Sequence, residues 1–234
     1  MQFIEKNAFN VRTAVYRLRK EGAQLEFCLF PMIHAGSPEF YAEISRRLDQ
    51  CDLILVEGVR SKKANVLVYS YKILKRIRRL GFVLQQDAMD LKGFGAKIVN
   101  TDIAGDAFEA RWSALPILLH LQLFLLVPIY VVYLVIFANR ETIAKQIAMD
   151  DLPTNEEILE TGDEEWEALH TLLIDERDRT LIDHLRRLDE DKSEEFRCIG
   201  VVYGAEHMRN VIAFLMHQMN YHVAKSEWVT VFDL

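Results

Sequence analysis

The sequence predicts an α/β fold with a mixed central sheet and flanking helices, on three features. Short β-prone runs alternate with stretches of helical period. A strand leading through an xxxH step into a helix occurs near both ends of the chain, at His34 and His207, which implies a pseudo-symmetric site. Two apolar runs end in a carboxylate, at Glu57 and Asp102.

Taken in order, 10–18 and 24–32 are β-prone runs separated by the polar turn Glu21-Gly22, the pattern of a hairpin. Ser37 followed by Pro38 supplies an N-cap with proline at the first helical position, opening a helix to about Asp49 whose buried face holds Phe40, Ile44 and Leu48. The run 52–57 then reads as a buried strand, completing a strand-helix-strand unit. Residues 60–79 carry Arg60, Lys62, Lys63, Lys72, Lys75, Arg76, Arg78 and Arg79 without an acidic residue, while Val66, Tyr69, Ile73, Ile77 and Leu80 recur at helical spacing. This basic amphipathic stretch is either a solvated face on a packed helix or, through 62–80, an attachment to anionic lipid headgroups. Another strand is expected at 97–102, followed by a helix holding Phe108 and Trp112.

The span 114–138 has no charged residue and is interrupted only by His120, Gln122, Pro116 and Pro128. It is long enough to cross a bilayer. A single crossing would put His34 and Glu57 on one side and Arg177, Asp178 and His207 on the other, so a site built from both halves excludes it. Three readings stay open: a buried helix pair broken near Pro128, an apolar homodimer surface, or a re-entrant or in-plane membrane segment. Acidic 150–167, where Thr154 and Glu157 have capping-box spacing, reads as the solvated start of a helix that continues to about Leu188. A β-branched strand at 197–203, a helix to Met219 and a last strand at 221–231 close the chain. Residues 1–234 thus read as a single α/β domain with an apolar helical insertion at about 114–138.

Composition narrows the function. Half of the 234 residues are hydrophobic and 27% are charged, with 10 Gly and 5 Pro, which excludes collagen-like and low-complexity chains. A net charge of -7 argues against a nucleic-acid partner, since neutralising phosphates needs a basic surface. Cys28, Cys51 and Cys198 have no CxxC spacing, so they read as packing residues of a reduced, cytoplasmic protein rather than as a disulfide or a thiolate zinc site. The first 20 residues show no apolar block, and no secretory signal is expected. GxSxG, GxxxxGK[ST], HExxH and GxGxxG are all missing from the sequence.

What carries chemistry is the strand-end set. Imidazoles just past a strand can bind a divalent cation or act as bases, and open α/β sheets bind ligands at such positions. A carboxylate ending the run Leu53-Ile54-Leu55-Val56 must be paired, protonated or metal-bound. Glu57 is therefore expected either at a metal or in a salt bridge to Arg60 or Arg177. Asp102 is a second acid or an orienting group. Glu176-Arg177-Asp178 is either surface ion pairing or a donor set aimed into the site. His120, His170, His184, His217 and His222 are expected to be structural.

The blocks PMIHAGSPEF (31–40), LILVEGVR (53–60), ERDRTL (176–181) and VVYGAEHMRNVIAFL (201–215) together resemble the TraB/PrgY/Tiki family, within the wider erythromycin-esterase-like and ChaN-like group. That family has two GxxH motifs, a glutamate after a hydrophobic strand, and an Arg-Asp pair before the second GxxH. Here Gly204 heads an intact GxxH, whereas Pro31 replaces the first glycine, and the glutamate is followed by Gly58-Val59-Arg60. The resemblance implies a metal-dependent, peptidase-like hydrolase. His34, Glu57 and His207 would hold Mn, Co or Zn, with Arg177 and Asp178 completing the catalytic set. Arg60, Asp102, Arg177 and Gly204 would contact a peptide or small acyl substrate. PrgY-like members imply the alternative, a membrane-associated protein that captures a peptide without cleaving it. Membrane attachment is common in the family, so the cytoplasmic location expected from the cysteines extends to a peripheral or re-entrant place at the inner face of the membrane.

Overall fold

The computed structural model describes residues 1–61, 63, 72–90, 93–147, 164–192 and 194–234. Most of the basic stretch 62–71 and the acidic segment as far as residue 163 lie outside them. So does the proposed cap at Thr154.

The chain starts with β1 (Ile4–Lys6), β2 (Asn10–Arg19) and β3 (Glu26–Met32), where β2 and β3 pair antiparallel with Tyr16 opposite Leu29. Gly22, at φ 75°, makes the expected turn. After the two-residue β4 (Ala35–Gly36), the Ser37 side chain accepts the Phe40 N–H and Pro38 starts α1 (Pro38–Leu48). This helix buries Phe40, Tyr41, Ile44 and Leu48. Then follow β5 (Leu53–Val56), β6 (Val83–Leu84), the single turn α2 (Gln85–Ala88), β7 (Lys97–Asn100), α3 (Gly105–Ala114), α4 (Ile117–Phe137) and α5 (Arg140–Ile147). A long helical segment comprises α6 (Glu164–His170), a π-helical turn at Thr171–Asp175 and α7 (Glu176–Lys192). The chain closes with β8 (Cys198–Gly204), a 3-10 turn at Ala205–His207, α8 (Met208–His217) and β9 (His222–Asp233).

The sheet is mixed, as expected. Strands β3, β8, β5 and β7 are neighbours in that order and all parallel, while β1 and β9 pair antiparallel with β2. Strands inside a parallel sheet are covered on both faces, which is why β5 reads LILV without alternation and is buried throughout. The ladder between β3 and β8 sets Pro31 opposite Tyr203 and Met32 opposite Gly204, so the two xxxH steps leave adjacent strands one residue out of register.

Helix α4 corrects one expectation. It runs unbroken through Pro128 rather than splitting into a buried pair, and most of it faces outward: Ile117 is 86% and Phe124 74% exposed. Leu119 and Leu123 join a small cluster with Phe108, Trp112 and Leu172, and Leu134 packs on the main core. Both flanks of α4 therefore belong to one sheet, since β3 and β5 precede it and β8, their shared neighbour, follows it. A simple bilayer crossing is incompatible with that pairing. Arg79 donates to the carbonyls of Ala138, Val135 and Ile136, supplying partners to carbonyls at the C-terminal end of α4.

Candidate functional site

Four adjacent parallel strands deliver one element each to the same edge of the sheet. His34 follows β3, Gly204 ends β8 with His207 three residues on, Glu57 follows β5 and Asp102 follows β7. This is the carboxyl edge at which open α/β sheets place ligands. Helix α7 adds Arg177 and Asp178 from a distant part of the sequence.

The centre is a clamp on two carboxylates. Arg177 Nη2 donates to Glu57 Oε1 at 2.5 Å and to Asp102 Oδ2 at 2.8 Å, and Arg177 Nε donates to Asp102 Oδ1 at 2.9 Å. Arg177 Nη1 donates to the Leu173 carbonyl, in the π-helical turn, at 3.1 Å. Asp102 also accepts the backbone N–H groups of Gly58 and Ile103. Glu57 Oε2 accepts the Gly204 N–H at 2.6 Å, and a Cβ on Gly204 would stand 3.2 Å from that oxygen, so the glycine permits a close approach. Burial opposes ionisation of Glu57, but the facing His207 ring and the charges of Arg177 and His34 outweigh it and hold the carboxyl below the usual range. Burial likewise opposes the charge on Arg177, and its bonds to Asp102 and Glu57 raise its pKa regardless.

His207 forms the second half. Its Nδ1 lies 2.6 Å from Asp178 Oδ1, and its Nε2 faces Glu57 Oε1 at 3.7 Å. Burial would lower its pKa, yet the two carboxylates push it up to about 9, so the ring is an imidazolium at neutral pH. Asp178 is steadied by Asn210 Nδ2 at 2.5 Å. Below this layer, the Thr101 and Tyr203 hydroxyls are bonded at 2.8 Å.

Several expectations find a definite place here. Glu57 chooses Arg177 rather than Arg60, whose side chain is exposed and whose carbonyl packs against Gly105. Asp178 orients a histidine, while Asp102 orients the arginine. Four of the five N–H donors of Arg177 are engaged within the protein, on Glu57, Asp102 and the Leu173 carbonyl. His34 is half-buried, and its carbonyl accepts the Gln85 N–H. His120 and His184 each approach the carbonyl four residues back, a structural role.

The metal expectation does not fit this arrangement. Among the described residues, the ligand atoms of His34, Glu57 and His207 are not drawn together within 4.8 Å, and the oxygen that would face a cation already faces a guanidinium. The group that does meet that distance is Cys28, Cys51 and Cys198, which sequence reasoning treated as packing residues. Their separation in sequence hid them, because only the register of β3 against β8 and β8 against β5 makes them neighbours. Asn210 was also missed, although its place three residues after His207, on the same helical face, was a usable signal.

No family model matches the chain, and neither a curated protein nor a solved structure matches it.

Proposed function

We propose that the carboxyl edge of the sheet is a hydrolytic site of TraB type, acting on a peptide or related acyl bond by acid-base chemistry. The observation that carries the proposal is the facing pair Glu57 Oε1 and His207 Nε2 at 3.7 Å, one anionic and one cationic, each fixed from behind. Arg177 and the Gly204 N–H fix Glu57, and Asp178 with Asn210 fixes His207. Preorganisation of this kind lowers a barrier because the groups need not reorient as charge develops.

In the proposed reaction Glu57 orients a water and takes its proton only as the water oxygen bonds to the acyl carbon, which makes that proton acidic enough for a carboxylate held so low. His207 gives its Nε2 proton to the leaving nitrogen as the C–N bond breaks. Glu57 then returns its proton to His207 across the gap between them, restoring the starting state. No step is routed through a cation.

The test incubates the purified chain with a peptide mixture, alone and with Mn, Co or Zn, and reads products by mass spectrometry. Cleavage by the parent protein, reduced at least 100-fold in Glu57→Gln and His207→Gln variants with unchanged circular dichroism, supports the proposal. Peptides bound but left intact would favour the capture reading instead. That alternative draws on the low exposure of the charged groups, since the side chains of Glu57, Arg177, Asp102, Asp178 and His207 are at most 15% exposed.

For the apolar helix we propose that α4 lies in the plane of a membrane surface rather than across it. Supporting this are its exposed aromatic and aliphatic face and the neighbouring Arg76, Arg78 and Arg79, which border a cavity with Val135. A homodimer through the same face is the competing outcome.

A further inference from the structure

At the opposite edge of the sheet the amino-terminal ends of the same strands bring the cysteines together. Cys198 opens β8, Cys28 is the third residue of β3, and Cys51 stands two residues before β5. The Cys198 sulfur lies 3.3 Å from that of Cys28 and 3.2 Å from that of Cys51, with all three sulfurs within 4.8 Å. The Asp52 carboxylate accepts the N–H groups of Arg197 and Cys198 at 2.8 and 2.9 Å, tying the starts of β5 and β8 together. That tie fixes two of the three thiols relative to each other. Arg17 sits directly across the ladder from Cys28, its guanidinium also paired with Glu26 at 3.5 Å.

We propose that Cys28, Cys51 and Cys198 form a three-sulfur site for a soft monovalent cation, Cu(I). The donor set decides the cation. Thiolates select soft metals, and no histidine or carboxylate of the described residues joins the group. Zinc favours a fourth ligand, whereas the space beside Cys51 around Gly200 is occupied by Leu48 and Phe30. Planar three-coordination with metal–sulfur bonds of about 2.3 Å sets sulfurs roughly 4.0 Å apart, so the cluster needs to open by less than about 1 Å. Binding exchanges thiol protons for the metal: three S–H bonds are lost, three Cu–S bonds form, and three protons leave to solvent. The complex then carries two negative charges, and Arg17 offsets one. Cys198, less buried than its partners, gives the ion its way in.

The test titrates the whole reduced chain anaerobically with the Cu(I)–bicinchoninate complex as probe. One Cu(I) per chain should leave the complex, the three titratable thiols should disappear together, and X-ray absorption should report sulfur neighbours only. Cys198→Ser should weaken uptake at least tenfold, and Cys51→Ala, checked for folding by circular dichroism, should do the same. Failure to withdraw copper from the probe, nitrogen or oxygen among its neighbours, or undiminished uptake by a folded Cys51→Ala protein would each overturn the site.

Discussion

Asp178 Oδ1 stands 2.6 Å from His207 Nδ1, joining the first turn of α7 to the 3-10 turn after β8. The two residues are 29 positions apart and both almost fully buried, at 2% and 3% exposure. A buried imidazole next to a carboxylate is stable only as an ion pair or as a single-proton hydrogen bond, and pH chooses between them.

The direction of that choice is set by the raised pKa. Because His207 titrates near 9 in the fold and 6.5 when unfolded, its contribution is complete below about 6.5 and is lost as pH rises through about 9. The loss is of order 3 kcal/mol at most. Urea unfolding at pH 7 and pH 10 should show the parent protein weakening more than a His207→Gln variant. In Asp178→Asn, the His207 titration followed by NMR should fall from about 9 toward 6.5 or below.

Arg177 places a guanidinium between two buried carboxylates that otherwise keep only backbone N–H partners and, for Glu57, the facing His207. Arg177→Met should cost about 3–5 kcal/mol near neutral pH. Part of that should return on acidification, because Glu57, held less low by His207 without the guanidinium, then protonates more readily. A variant equally weakened at pH 5 and pH 8 would contradict this account of the clamp.

Two glycines are needed for space. A Cβ on Gly105 would come 1.9 Å from the Arg60 carbonyl oxygen, and backbone cannot give way cheaply. Gly105→Ala should destabilise by roughly 3 kcal/mol, at the upper end of overpacking costs. Gly95→Ala, with nothing within 4 Å of the added carbon, is the control and should differ little from the parent.

At Gly204 the added methyl would press only on Glu57 Oε2, at 3.2 Å. We expect Gly204→Ala to cost about 1–2 kcal/mol and to displace the carboxylate. Hydrolysis should therefore suffer more than stability, which a kcat comparison beside a melting curve would reveal.

For α4, co-flotation with anionic phospholipid vesicles should be strong for the parent and lost when Phe124 and Ile129, both exposed, are changed to Asp. Light scattering that instead shows a dimer, dissolved by the same pair of changes, would assign the face to self-association.

Much of the fold could be read residue by residue. The β-prone run at 10–18, the Ser37-Pro38 start of α1, and the burial of Phe40, Ile44 and Leu48 depend on neighbours along the chain, and each stands as expected. The strand-end acids were legible for a similar reason, since a charged group ending an apolar run calls for a partner wherever the strand lies. The identity of that partner was not legible: the sequence offered both Arg60 and Arg177, and only the packing of α7 over the strand ends selected Arg177. Of the three readings of 114–138, the helix pair broken near Pro128 is the one that does not form, since Ile117–Phe137 is one helix with Pro128 inside it.

The sequence by itself determined which segments extend, which coil, and which charged or sulfur-bearing residues sit at strand ends. Tertiary structure alone decided the lateral order β3, β8, β5, β7, and with it the meeting of Glu57 with His207 at one edge and of three distant cysteines at the other. The reason is that parallel strands are joined by hydrogen bonds between residues far apart in the chain. No local preference encodes which strand will lie beside which.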